Sequence, residues 1–159
     1  MSPPYTIVLP TVYGNMLVNK FDINQTGALL QTGKAIDFEK VDFASQVCAN
    51  APEGAVALDI GANFGTYSLA MARTLSKKGG KVHSFEAQRI IFYMLCGSVS
   101  INALENCFPH FACVGNSNEE VPIPKFDYSS SLNFGSIEFG SHHQSESLHQ
   151  LRGETNEYV

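Results

Sequence analysis

The sequence predicts an α/β domain built on a parallel sheet. Three observations predict it. An apolar run, Ala55–Ile60, leads through a glycine-punctuated turn into a helical pattern. A second apolar run, Lys81–Glu86, is again followed by a helical pattern, and a third, Phe108–Val114, completes a strand–helix–strand–helix–strand series. Parallel strands joined in this way need crossover helices, and those crossovers are right-handed.

The elements follow in chain order. Tyr5–Leu9 and Thr11–Val18 are rich in Val, Ile, Thr and Tyr and read as short strands separated by Pro10. Asp22–Gly33 is polar, and Asn24, Gln25, Thr26 and Gly27 mark a turn. From Asp37, Phe38, Val41, Ala44 and Cys48 recur at helical spacing until Pro52 and Gly54 end the helix. Phe64–Ser76 is helical, with Tyr67, Ala70, Met71 and Leu75 on one stripe, and Lys77-Lys78-Gly79-Gly80 stops it. Arg89–Leu104 is a second crossover helix, with Ile90, Tyr93, Met94 and Gly97 near one face. After Gly115 the character changes. Pro122 and Pro124 confine any strand over Val121–Phe126 to an edge. Ile137–Phe139 reads as a short strand, and 141–159 is polar without apolar periodicity. The chain is expected to form one domain: 1–54 as strands and a helix, 55–115 as the ligand-binding core, and 116–159 as an insertion and polar tail.

Bulk properties narrow the function. The 159 residues suffice for one domain with a core, and 44% hydrophobic with 16% charged residues is a globular composition. A formal net charge of −5 with dispersed Lys and Arg argues against a nucleic-acid partner. Lys77, Lys78 and Lys81 cluster at a helix end, where cations complement the helix dipole. Cys48, Cys96, Cys107 and Cys113 form no Cys-x-x-Cys pair and read as buried free thiols. No metal site is expected: His142, His143 and His149 lack a ligand spacing and read as a solvated surface. With no leader-like start and no run approaching the roughly 20 apolar residues of a membrane span, a cytoplasmic protein without a membrane partner is expected.

The chemistry sits in the turn after Ala55–Ile60. Its pattern is Asp59-x-Gly61-x-Asn63-x-Gly65. A dinucleotide loop would need glycines at positions 63 and 66, which hold Asn63 and Thr66, and a phosphate-binding P-loop would need a Gly-Lys-Ser/Thr end. Glu86 ends the next strand, twenty-one residues after Gly65, near the spacing at which such an acid meets a ribose. Asp59 and Glu86 are acceptor-only when ionised and suit an ammonium or a diol. A plainer role stands beside this for Asp59, as a helix cap.

The loop resembles the first motif of class I S-adenosylmethionine-dependent methyltransferases, acid-x-Gly-x-x-x-Gly. More narrowly, Leu58-Asp-Ile-Gly-Ala-Asn-Phe-Gly-Thr-Tyr-Ser68, Val82-His-Ser-Phe-Glu-Ala-Gln88, Asn102-Ala-Leu-Glu-Asn106, Lys125-Phe-Asp-Tyr128 and Asn133-Phe-Gly-Ser-Ile-Glu-Phe-Gly140 resemble the FkbM type. The resemblance implies a Rossmann-like class I methyltransferase sheet with N-terminal short strands and a C-terminal hairpin-like insertion. It implies S-adenosylmethionine as cofactor and O-methylation of a hydroxyl on a sugar or other small-molecule acceptor. Asp59, Gly61, Asn63 and Gly65 would line the methionine end and Glu86 would bind the ribose hydroxyls, with Ala62, Phe64 and Ala87 also in the cofactor-binding set. Asn133 and Phe134 would lie toward the acceptor.

The family continues with a Lys-Ile-Asp-Val-Glu-Gly-type fourth strand, and nothing like it occurs here. The sheet is therefore expected to be incomplete, with Ala55–Ile60 at an apolar edge. A homodimer through that edge, or cover by the N-terminal strands, is expected. An alternative is a truncated, non-catalytic domain that binds cofactor or a partner.

Overall fold

In a computed structural model of the chain, residues 4–135 and 157–159 are described. The chain opens with β1 (Thr6–Thr11) and β2 (Gly14–Asn19), an antiparallel hairpin pairing Thr6 with Asn19 and Thr11 with Gly14. Its turn falls at Val12 and Tyr13, inside the expected second strand. Gly14 makes that tight turn at φ +112, a left-handed value that favours glycine. Then come α1 (Gln25–Thr32), α2 (Phe38–Asn50), β3 (Val56–Ile60), α3 (Thr66–Ser76), β4 (Lys81–Glu86), α4 (Arg89–Ile101) and β5 (Cys107–Phe111). Two short strands, β6 (Pro122–Ile123) and β7 (Glu157–Tyr158), pair antiparallel. The expected strand at Ile137–Phe139 and the three histidines of the tail lie outside the described residues.

The fold class is α/β, with a three-stranded parallel sheet in the order β3-β4-β5. Each strand is added on the same side of its predecessor. Two right-handed crossovers then place α3 and α4 on one face. Burial follows that geometry. Asp59, Val82, Ser84, Glu86 and Cys107 point to the helices and are buried. Ser68 Oγ on α3 touches Asp59 Oδ2 at 2.5 Å and Ser84 Oγ at 2.7 Å, stitching helix to sheet. On the opposite face Val56, Leu58 and Ile60 are each about 60% exposed. In register beside Leu58 and Ile60 stand His83 and Phe85, and beyond them Phe108 and His110. A parallel sheet is ordinarily covered on both faces. Among the described residues, no strand pairs with the outer edge of β3. The N-terminal hairpin lies elsewhere: Leu17 packs on Gly97 of α4, where an added Cβ would fall 2.6 Å from Leu17 Cδ2. Cover of the edge by the N-terminal strands is therefore corrected.

Three other expectations change. The polar stretch read as a turn is the helix α1, begun by Asp22, whose Oδ1 accepts the Thr26 N–H at 2.8 Å, and ended at Gly33 with φ 70. On α4 the buried residues are Ile91, Met94, Leu95, Ser98 and Val99. Met94 and Gly97 of the expected face are packed, Gly97 against Leu17, but Tyr93 is 55% exposed. Of the four free thiols, Cys48 and Cys107 are buried, but Cys96 is half-buried and Cys113 exposed.

Candidate functional site

The site is built where β3 and β4 end side by side. Ile60 pairs with Phe85, so the chain leaves both strands at one level. The loop after β3 then makes three left-handed turns, at Gly61 (φ 78), Asn63 (φ 49) and Gly65 (φ 97). Asn63 is the one non-glycine among them, and Asn tolerates this region better than most residues. Gly61 and Ala62 donate their N–H groups to the Phe85 carbonyl at 3.0 and 2.9 Å, which ties the loop to the neighbouring strand.

Glu86 fixes the rest. Its Oε2 accepts the Asn63 N–H at 2.9 Å and its Oε1 accepts the Gln88 N–H at 2.8 Å. The carboxylate thus bridges the glycine loop and the start of α4, and each oxygen keeps acceptor capacity. Burial pushes the Glu86 carboxyl above its ordinary range, while the N–H groups of Gln88, Asn63 and Ala87 pull the other way.

Asp59 does different work. Its carboxylate is turned under α3, where it takes the Ser68 hydroxyl and the Ser68 backbone N–H. Ser68 lies in the first turn of α3, so Asp59 satisfies one of that helix's free N–H groups from outside the N-cap position, which Gly65 occupies. These are contacts of the capping kind. Ala62, Phe64 and Ala87 have buried side chains, Phe64 at 0% exposure, so these three meet the loop's surroundings through backbone and packing.

A segment far along the chain closes over this corner. Leu132–Gly135 is bonded to the N-terminal region by Leu132 N–H to the Phe21 carbonyl and Ile23 N–H to the Leu132 carbonyl, both at 3.2 Å. Phe134 N–H donates to Asp22 Oδ2 at 3.1 Å, and Gln88 Nε2 donates to the Phe134 carbonyl at 2.8 Å. The Phe134 ring is 1% exposed and lies 5.1 Å from the Tyr128 ring. Asn133 Oδ1 accepts the Gly135 N–H at 3.1 Å. Gly135 sits so near the loop that an added Cβ would fall 2.7 Å from Asn63 Nδ2. The structure thus brings Asn63, Glu86, Gln88 and the 132–135 strap together. Gln88 and Asp22 were missed in the sequence. Gln88 adjoins the glycine-loop partner Glu86-Ala87, and Asp22 stands four residues before Thr26 at a helix start; both signals were present.

Asp22, Asp59 and Glu86 all have carboxyls raised by burial. An acid whose folded value lies above its unfolded value holds protons more tightly in the folded state. Its stabilising contribution is complete below the ordinary values, 3.8 for Asp and 4.5 for Glu, and is lost as pH rises through the raised ones. Melting temperature is therefore expected to fall as pH rises from about 4 through the raised carboxyl range. Glu86→Gln should flatten that slope; a melting profile as steep as wild type would contradict it.

Among the described residues, no group of three or more His, Cys, Asp or Glu could hold a metal ion, and no helix is long and apolar enough to cross a membrane.

No protein-family model matches the sequence, and no curated protein matches it. Solved structures do. An S-adenosylmethionine-dependent methyltransferase from Agrobacterium tumefaciens matches over 70% of this chain and 33% of its own, at 12% identity and a TM-score of 0.48. The tRNA (uracil-54, C5)-methyltransferase of Pyrococcus abyssi, in complex with S-adenosyl-L-homocysteine, matches over 70% of this chain and 24% of its own, at 19% identity and a TM-score of 0.44. An S-adenosylmethionine-dependent O-methyltransferase from Thermotoga maritima matches over 67% and 40%, at 14% identity and a TM-score of 0.44. The chain spans 24% to 40% of the length of these proteins.

Proposed function

We propose that this chain is the cofactor-binding part of an S-adenosylmethionine-dependent methyltransferase of the FkbM type. One observation carries the proposal: a glycine loop at the end of β3 is tied through its Asn63 N–H to Glu86 at the end of the adjacent β4, at 2.9 Å. That places an acceptor-only carboxylate at the carboxyl ends of neighbouring parallel strands, where open α/β sheets bind ligands. The loop from Gly61 to Gly65 holds no Lys or Arg to meet a phosphate. An acceptor carboxylate beside a loop without Lys or Arg suits an uncharged diol beside a cationic group, which is the chemistry of S-adenosylmethionine.

In this reading Glu86 accepts the two ribose hydroxyls, and the left-handed loop lets backbone approach the ligand without a Cβ in the way. The cofactor, when bound, supplies an activated methyl group. The chain supplies placement, and the strap from Leu132 to Gly135 shields the corner from water. The acceptor is a hydroxyl of a sugar or other small molecule, with Asn133 on its side of the site. Titration calorimetry with S-adenosylhomocysteine tests the reading. Binding is expected; no heat at millimolar ligand would end it.

Val56, Leu58 and Ile60 exposed on one face, and an outer edge of β3 that no strand among the described residues pairs, favour a second reading beside the first, a domain that binds cofactor or a partner without turning over. Binding of S-adenosylhomocysteine with no methyl transfer to any of a panel of hydroxyl acceptors would support it. Self-association through β3 belongs to the same proposal, and a sedimenting monomer at high concentration would remove it.

A further inference from the structure

Two buried oxygens beside Glu86 have no hydrogen-bond partner: Gln88 Oε1 and Asn63 Oδ1. Such atoms are uncommon, because an acceptor shut away from water without a donor is costly. Both belong to residues whose backbone N–H is already held by the Glu86 carboxylate. The Gln88 amide is also fixed in sense. Its Nε2 donates to the Phe134 carbonyl at 2.8 Å, an acceptor that the side-chain oxygen could not replace. The oxygen is therefore held ready for a donor that the protein does not provide.

We infer that Gln88 is a ligand-reading residue, whose side-chain oxygen takes an N–H of the nucleoside ligand held by Glu86. The inference rests on the cofactor reading above and extends it to a residue outside the glycine loop. The ribose hydroxyls are matched to Glu86. What remains on such a ligand are N–H donors of two sources, the exocyclic amine of the base and the ammonium of the amino-acid tail. Access requires the strap to shift off the loop, since both oxygens are covered. The strap meets this corner through Phe134, held by Asp22 on its N–H and by Gln88 on its carbonyl, and through Gly135, which rests against Asn63. A ligand N–H that reaches Gln88 Oε1 leaves the Nε2 bond intact, so the strap can close again over the bound molecule.

The test compares three ligands by calorimetry: S-adenosylhomocysteine, S-inosylhomocysteine, which lacks the exocyclic amine, and methylthioadenosine, which lacks the ammonium. In wild type, removal of the donor that Gln88 reads should weaken binding by about tenfold or more. In Gln88→Met that penalty should disappear for one of the two analogues, which identifies the donor. A merely structural role would weaken all three ligands by a common factor and leave their ratios unchanged, and that result overturns the inference. A second measurement needs no variant: the Gln88 side-chain amide resonances should move on saturation with S-adenosylhomocysteine, and unmoved resonances overturn it as well. Failure of wild type to bind S-adenosylhomocysteine at all is a separate result; it removes the cofactor reading and this inference with it.

Discussion

Glu86→Ala is expected to lower affinity for S-adenosylhomocysteine by about a hundredfold or more. The magnitude follows from two hydrogen bonds to a charged carboxylate, each worth about 1.5–3 kcal/mol. The same change should lower stability, because the buried Asn63 and Gln88 N–H groups lose their acceptor. Each such orphan costs about 1–3 kcal/mol. Binding and stability must therefore be measured together, by calorimetry and by thermal unfolding. Glu86→Gln separates them. It keeps the shape and one acceptor oxygen but turns an NH2 toward one of the two backbone donors, so both properties should decline, binding more than folding. A Glu86→Gln protein that binds as tightly as wild type would leave Glu86 as a loop clamp and nothing more.

Gly65→Ala is expected to be the most damaging small substitution in the loop. Gly65 has φ 97, and an added Cβ would fall 2.7 Å from Leu95 Cδ1 and 2.9 Å from Leu69 Cδ1. Both leucines are at 0% exposure, so neither can swing into solvent to make room. Left-handed strain and overpacking together should cost about 2–5 kcal/mol. For a domain of this size that is a fall in melting temperature of roughly 5–20 °C. Gly61→Ala is the control. Gly61 is also left-handed, at φ 78, but no atom lies within 4 Å of the added Cβ. It should show the strain without the clash, at about 1–2 kcal/mol. Equal melting temperatures for the two variants would mean that α3 and α4 do not meet tightly across Gly65.

The contrast between those two glycines shows what can be read in a sequence. The Gly-x-Asn-x-Gly spacing announces the loop, and the strand ends before it and at Glu86 were legible because apolar runs bounded by turn residues are local signals. Lys81–Glu86 is a strand with the expected bounds, and β3 and α2 match within a residue. Which glycine is crowded was not legible, because Leu69 and Leu95 come from two different helices. The helix α1 was hidden for a related reason. Its Asn-Gln-Thr-Gly start looks like a turn, and the carboxylate that caps it, Asp22, is buried partly by Phe134, more than a hundred residues away. The packing of the Phe134 ring on Tyr128 and the bond from Gln88 to its carbonyl join residues too far apart in the chain to be read from it.

By itself, then, the sequence determined the parallel α/β core, the glycine-punctuated loop from Asp59 to Gly65, the strand that ends at Glu86 and the departure of the loop from a phosphate-binding pattern. Each depends on residues close together in the chain. The tertiary structure alone decided that Asp59 faces α3 and Ser68, that Glu86 clamps the loop to α4, and that the 132–135 strap lies over Asn63 and Gln88. It also decided that, among the described residues, one face of the sheet carries no helix. Right-handed crossovers in a single direction send both helices to the same side, and a linear pattern of apolar residues carries no record of which side that is.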